Sequence, residues 1–324
     1  MRKKIVALIM GFLSLGAILA TTVASQDYPT KPLEIICPYA PGGSIDIGAR
    51  QIANVGPKHF GQPMVVVNKP GSAGSHGVAE VLSSKPDGYK AIYAGSAYFA
   101  TTVKTQKLPF DPNDLIPLAN FVELKQCMVV KGDSPFKTLD DLLAYGRKNP
   151  GQLKWGHPGR GIVLHLVGLS VFRNAGVNTI DVPFKGDALS LPALLGGHID
   201  AGSVLYGSVS GQLKAGIVRL LMVYSDKRYK DQPNVPTMVE LGHSNALMFT
   251  FFGLYVRKDT PETIRKKLTD VCKKIYEDPE YKEAMEKQGE ELRWGGTEFI
   301  KETIKKQEEI GIPLLKELGL YIGK

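Results

Sequence analysis

Short apolar runs that end in glycine-rich loops, each opening into a helical pattern, recur along this chain and constrain its fold more than any other feature. In the first, residues 33–36 lead into Tyr39-Ala40-Pro41-Gly42-Gly43-Ser44-Ile45-Asp46, and Ile45, Ala49, Ile52 and Ala53 follow at helical spacing. In the second, residues 63–67 run into Asn68-Lys69-Pro70-Gly71-Ser72-Ala73-Gly74-Ser75-His76-Gly77 ahead of a helical stretch at 78–82. In the third, residues 91–94 end at Gly95-Ser96-Ala97. Strand–loop–helix units in series predict a parallel α/β sheet. Ligands of such sheets collect at the carboxyl ends of the strands.

The first loop has the composition of an anion site. Glycines let the backbone approach a ligand closely, and Ser44 is a candidate N-cap. The first amides of the following helix have no intrahelical acceptor, and the helix dipole is positive there. Such a loop can hold a carboxylate or phosphate; the same residues also suit a tight turn with no ligand. Asp46 reads either as an acid favoured in a helix's first turn or as an acceptor for a ligand hydroxyl or ammonium. The second loop, Gly71-x-x-Gly74-x-x-Gly77, departs from the dinucleotide spacing G-x-G-x-x-G, and no ribose-binding acid follows in frame.

Farther along, residues 127–130 read as a strand, and Thr138 as the N-cap of a helix that Asn149-Pro150-Gly151 stops near Lys148. A fourth glycine loop, Gly156-His157-Pro158-Gly159-Arg160-Gly161, opens into a helix at 162–172. A strand at 179–182 reaches Pro183-Phe184-Lys185-Gly186-Asp187, with Asp187 as N-cap of a helix that Pro192 makes short or irregular. Residues 199–203 and 219–223 are further strands. The apolar run 248–256 is placed to carry the chain back to its first part, and amphipathic helices at 261–277 and 297–318 pack on the outside.

A length of 324 residues suits two domains, and a hydrophobic content of 43% suits a globular core. Arg2, Lys3 and Lys4 precede an apolar run at 5–20, with small residues at 22–25, the pattern of a signal peptide cleaved near Ala24 or Ser25. Residues 1–24 carry three cations and no acids, so the net charge of +8 falls to +5 in the exported chain. Its charges are mixed, without the clustering of a nucleic-acid footprint. Three widely spaced cysteines, Cys37, Cys127 and Cys272, give neither a disulfide framework nor zinc spacing. Ser44, Ser72, Ser96 and Ser203 lack the G-x-S-x-G elbow of a hydrolase. No catalytic residue, metal or cofactor is expected.

Six segments in register resemble one family. They are Tyr28-Pro-Thr-Lys-Pro32, Pro38-Tyr-Ala-Pro-Gly-Gly-Ser-Ile-Asp46, Asn68-Lys-Pro-Gly71 with Gly74, and Lys85-Pro-Asp-Gly-Tyr89. Val182-Pro-Phe-Lys-Gly186 with Gly196-Gly-His-Ile-Asp200, and Pro233-Asn-Val-Pro-Thr237 with Glu240, complete the set. From about residue 28 to its end the chain resembles the extracytoplasmic solute-binding proteins of tripartite tricarboxylate transporters, the Bug-type receptors. The resemblance implies an α/β, two-domain periplasmic binding protein fold, type II-like, with a ligand cleft between domains. After the signal peptide (1–25), domain 1 would comprise 26–125 and 248–324, and domain 2 would comprise 126–247. It implies a periplasmic receptor, monomeric, that captures a di- or tricarboxylate or an aromatic acid and delivers it to membrane permease subunits. A sensing domain that docks a signalling partner is the alternative; a secreted hydrolase fits less well.

The resemblance also implies that the Ala40–Ser44 loop and the Gly156–Gly161 loop face each other across the cleft. The implied substrate-binding residues are Tyr39, Ala40, Gly42, Gly43, Ser44 and Asp46, with Ser96, Ala97, Gly159, Arg160, Gly161, Phe184 and Lys185. Tyr39 would form a wall of the site. His165 reads as a structural histidine or as a ligand contact. Arg160 departs from the small or uncharged residue usual in the family, and Cys37 from a β-branched one. Arg160 is either a solvent-facing rim residue or, alone or with Lys185, the anchor for a second carboxylate.

Overall fold

The computed structural model describes residues 28–323. The expected signal peptide, its cleavage point and the first residues of domain 1 lie outside them. In chain order the strands and helices are β1 (Leu33–Cys37), α1 (Ser44–Val55), α2 (Pro57–Phe60), β2 (Met64–Asn68), α3 (Ser75–Leu82), β3 (Lys90–Gly95), α4 (Ser96–Ala100) and β4 (Leu115–Leu124). Next come β5 (Gln126–Lys131), α5 (Leu139–Lys148), β6 (Lys154–His157), α6 (Val163–Asn174), β7 (Ile180–Pro183), α7 (Asp187–Leu195), β8 (Ala201–Leu205), α8 (Tyr206–Lys214) and β9 (Val218–Val223). The last part is β10 (Thr250–Arg257), α9 (Glu262–Glu277), α10 (Pro279–Lys287), β11 (Glu291–Gly296) and α11 (Thr297–Glu317).

The strands form two sheets, ordered β11-β4-β10-β3-β1-β2 and β7-β6-β8-β5-β9. Lys125 alone separates β4 from β5, so the chain passes from the first sheet to the second within one residue. It returns between Val223 and Thr250. Each sheet is mixed, against the expected parallel one: β1 pairs parallel with β2 and β3, and β6 with β7 and β8. The other pairings, by β4, β5, β10 and β11, are antiparallel. Strand–loop–helix units account for the parallel part; β4, β5 and β10, which carry the chain between sheets, run against their neighbours.

Local sequence explains the elements that place the site. β8 is buried at all five positions, as expected of a strand covered on both faces. α1 turns Ile45, Ala49, Ile52 and Val55 inward. α5 has a capping box: the Thr138 hydroxyl accepts from the Asp141 amide, and the Asp141 carboxylate accepts from the Thr138 amide. At the first loop's end the N-cap is Gly43, and Ser44 is already helical. Likewise Gly186 caps α7 and Asp187 is its first residue. Ile36, Ile92, Tyr98, Phe99 and Tyr255 belong to one apolar cluster, against the first sheet. Val129, Leu194, Val204 and Val209 belong to another, against the second. Cys37, Cys127 and Cys272 are free and buried, and act as small hydrophobes.

Candidate functional site

Five helices start on one cavity. The residues preceding α1, α4, α6, α7 and α8 are Gly43, Gly95, Ile162, Gly186 and Leu205, and all of them line it. None of these starts has a side-chain cap. The leading amides of each helix have no acceptor inside it, and the positive ends of the backbone dipoles meet at the cavity. Two of those amides have partners elsewhere in the protein: that of Ser44 donates to the Ser208 hydroxyl at 3.0 Å, and that of Tyr206 to the Lys125 carbonyl at 2.8 Å. Among the described residues lining the cavity there is no Lys, Arg or His. An anion held here would be held by amides rather than by a cation. Tyr98, Phe252, Val163 and Leu164 add apolar wall.

The first loop is braced from below. Gly42, at φ +89°, turns its amide onto Asp46 Oδ2 at 2.9 Å. Arg50 Nε donates to the same oxygen at 2.9 Å, and Asn68 Nδ2 donates to Oδ1 at 2.8 Å and to the Tyr39 carbonyl at 3.0 Å. Burial pushes the Asp46 carboxyl up, but the bonds from Arg50, Gly42 and Asn68 outweigh it and hold it below its usual range. Both of its oxygens are engaged by the protein, so Asp46 shapes the loop.

The loops of the two sheets meet over the cavity. The Ala40 amide donates to the Lys185 carbonyl at 3.1 Å, and the Thr102 hydroxyl to the Gly161 carbonyl at 3.1 Å. Closed in this way, the cavity measures about 50 Å³. At roughly 10–15 Å³ per water-sized group it has room for a handful of them.

A second, outer cavity of about 320 Å³ adjoins it across Tyr39 and Pro158. Gly159, Arg160, Phe184 and Lys185 line this one. The Arg160 side chain is 61% exposed and is paired with Asp181 at 3.1 Å. Beneath it the fold gathers His157, His165 and Asp181, with ligand-type atoms within 4.8 Å of one another. Sequence spacing gave no hint of this group. The Gly161 amide donates to His165 Nδ1 at 3.1 Å, which puts the ring proton on Nε2, and Arg160 already neutralises Asp181. His165 is held neutral, its pKa lowered to about 3 by burial, with His157 adding to the effect. The cluster therefore reads as a hydrogen-bonded support for the 159–161 loop, with no free nitrogen on His165 for a metal.

Two buried acids complete the surroundings. Asp187 lines the inner cavity; its Oδ2 accepts from the Leu205 amide at 3.2 Å and the Ser208 hydroxyl at 3.1 Å. Burial raises it to about 7 against those bonds. Glu290 accepts from the Ser44 hydroxyl at 2.8 Å and is also raised by burial to about 7, with Asp187 adding to the rise and Ser44 and Lys125 opposing it.

Of the residues expected from sequence, Tyr39, Ala40, Gly43, Ser44, Asp46 and Ala97 line the inner cavity. Tyr39 also lines the outer one, with Gly159, Arg160, Phe184 and Lys185. Gly42, Ser96 and Gly161 line neither. Gly42 and Gly161 act through their backbone bonds, and Ser96 is buried at the start of α4. Sequence reading missed Gln126, Asp187 and Thr250 as wall residues; only Asp187 had a signal, its place after a glycine at a helix start.

The family model described as "Tripartite tricarboxylate transporter family receptor" matches residues 48–320. A Cupriavidus necator protein, described as UPF0065 protein in gbd 5′ region, is 34% identical over 313 residues, covering 95% of this chain and 93% of its own. The solved structure of the periplasmic binding protein BugD superposes with a TM-score of 0.85 at 27% identity, over 91% of this chain and 99% of that one. An R. palustris protein solved with adipate gives a TM-score of 0.85 at 25% identity, over 90% and 99%. Two mixed sheets joined at Lys125, with helix starts gathered on one cavity, are thus the frame of a periplasmic binding protein, and the chain belongs to the tripartite tricarboxylate transporter receptor family, the Bug-type receptors.

Proposed function

We propose that this protein is an exported periplasmic receptor that captures a small organic carboxylate in the inner cavity and delivers it to the permease subunits of its transporter. The observation that carries the reading is the set of five uncapped helix starts on a cavity lined by no cation. A carboxylate offers acceptors to those of the amides that the protein leaves unpaired, and each hydrogen bond to a charged group contributes about 1.5–3 kcal/mol. The R. palustris relative solved with adipate supports an acid as ligand. The protein acts as a monomer and a carrier, not as a catalyst. The division into 26–125 with 248–324, and 126–247, accords with the membership of the two sheets, and closure of the two parts buries the ligand. Cleavage of the leader falls near Ala24 or Ser25.

A thermal-melting screen of small acids against their amides tests the reading. At about 100 times Kd a ligand stabilises the native state by about 2.7 kcal/mol. One or more acids should raise the melting temperature while the matching amides leave it unchanged. Equal shifts from acids and amides would refute capture by helix-start amides.

A further inference from the structure

Three residues that line the inner cavity carry buried polar atoms that nothing in the protein satisfies. Asp187 is 5% exposed and lines the cavity; Oδ2 has its two donors, while Oδ1 is buried without a partner. Gln126 lines the same cavity. Its Nε2 donates to the Met248 carbonyl at 3.1 Å, which fixes the amide's orientation and leaves Oε1 buried and unpartnered. The buried Thr250 hydroxyl, also on the wall, has no partner either. Buried polar atoms left unpaired are costly, and a ligand that pairs them gains that cost back.

We propose that Asp187 sets the specificity of this cavity by receiving the ammonium group of an amino acid whose carboxylate lies on the helix starts. An ammonium brings three donors and no acceptor, and Asp187, Gln126 and Thr250, all lining this cavity, each have an unpartnered oxygen that can accept. A diacid would instead set a second carboxylate against Asp187, with no lining cation between them. Burial of Asp187 agrees with this, since a carboxyl raised to about 7 returns to its ionised form when a cation joins it. The inference rests on the carboxylate reading and narrows it.

Calorimetry on the mature protein at pH 7.5, with matched pairs of probes, tests it. The pairs are L-aspartate with succinate, L-leucine with 4-methylpentanoate, and L-phenylalanine with 3-phenylpropanoate. In any pair that binds, the amino acid should bind at least about 10-fold tighter than the plain acid. Asp187→Asn should weaken the amino acid by about 10- to 100-fold more than it weakens the plain acid. Thr250→Val should lose a smaller part of the preference. Should Asp187→Asn fail to fold, the wild-type pairs decide alone. A plain acid that binds as tightly as its amino acid overturns the inference and leaves carboxylate capture standing. Failure of every probe to bind overturns both.

Discussion

Replacing Glu290 by Gln should flatten the dependence of this protein's stability on pH. Glu290 is 6% exposed, lies under the start of α1 through its bond from Ser44, and packs where a Cβ on Gly207 would come within 2.4 Å of its Oε1. It thus lies between α1 of the first sheet's part and α8 of the second. Its pKa rises from 4.5 in an exposed state to about 7, chiefly through burial. Between these values the folded protein keeps a proton that the unfolded chain has released. Stability is therefore highest below pH 4.5 with respect to this group, and falls as pH rises through 7. At 1.36 kcal/mol per pKa unit the full loss is about 3 kcal/mol, of which about 2–3 falls between pH 5 and 8. Gln keeps an acceptor for Ser44 but does not titrate. Urea or thermal unfolding at pH 5, 6, 7 and 8 should show the wild type losing about 2–3 kcal/mol more than Glu290→Gln over that span, about 5 °C or more in melting temperature. Asp187, raised in the same direction, leaves a residual slope in the variant. Parallel pH profiles for the two proteins would refute the reasoning.

Two further outcomes are expected. In Gly253→Ala, the added Cβ would stand 2.1 Å from the Ala119 carbonyl oxygen, a backbone atom of the neighbouring β4 that has little room to move. The variant should lose about 3 kcal/mol or more in urea unfolding, and a loss under 1 kcal/mol would show that the β10–β4 register yields easily. Arg160→Ala removes a guanidinium already paired with Asp181 and facing the outer cavity. By calorimetry it should change acid affinity less than about 3-fold; a loss beyond 10-fold would give Arg160 the second-anchor role that its place between two glycines suggested.

Much of the fold was legible because its signals are local. The run at 33–36, the Thr138 cap and the glycine loops announce β1, α5 and four of the five helix starts at the cavity; α8, which follows Leu205, was not announced. β6 and β11 were not announced. β6 is four residues containing a glycine, and β11 is an edge strand carrying Arg293 and two glycines. β4 was hidden by Pro117 within it. Antiparallel pairing was illegible for a different reason: it depends on the chain crossing sheets at Lys125 and coming back. The loops of the candidate site could be read, but its acceptor wall could not. Whether Asp187 Oδ1 is free depends on what Leu205 and Ser208 do to Oδ2, and the orientation of Gln126 depends on Met248, 122 residues away.

Of the two bonds that join the loops over the cavity, the one from the Ala40 amide to the Lys185 carbonyl uses main-chain atoms alone, while the other uses the Thr102 hydroxyl. No ordinary side-chain replacement deletes a carbonyl, and of the twenty residues only proline deletes an amide. The same holds for the helix-start amides that would face an anion. The main-chain share of grip and closure is therefore insulated from most point mutations, while taste is written in a few lining side chains such as Asp187, Gln126 and Thr250. A receptor built this way can exchange one cargo for another by a single substitution and still shut on whatever it has caught.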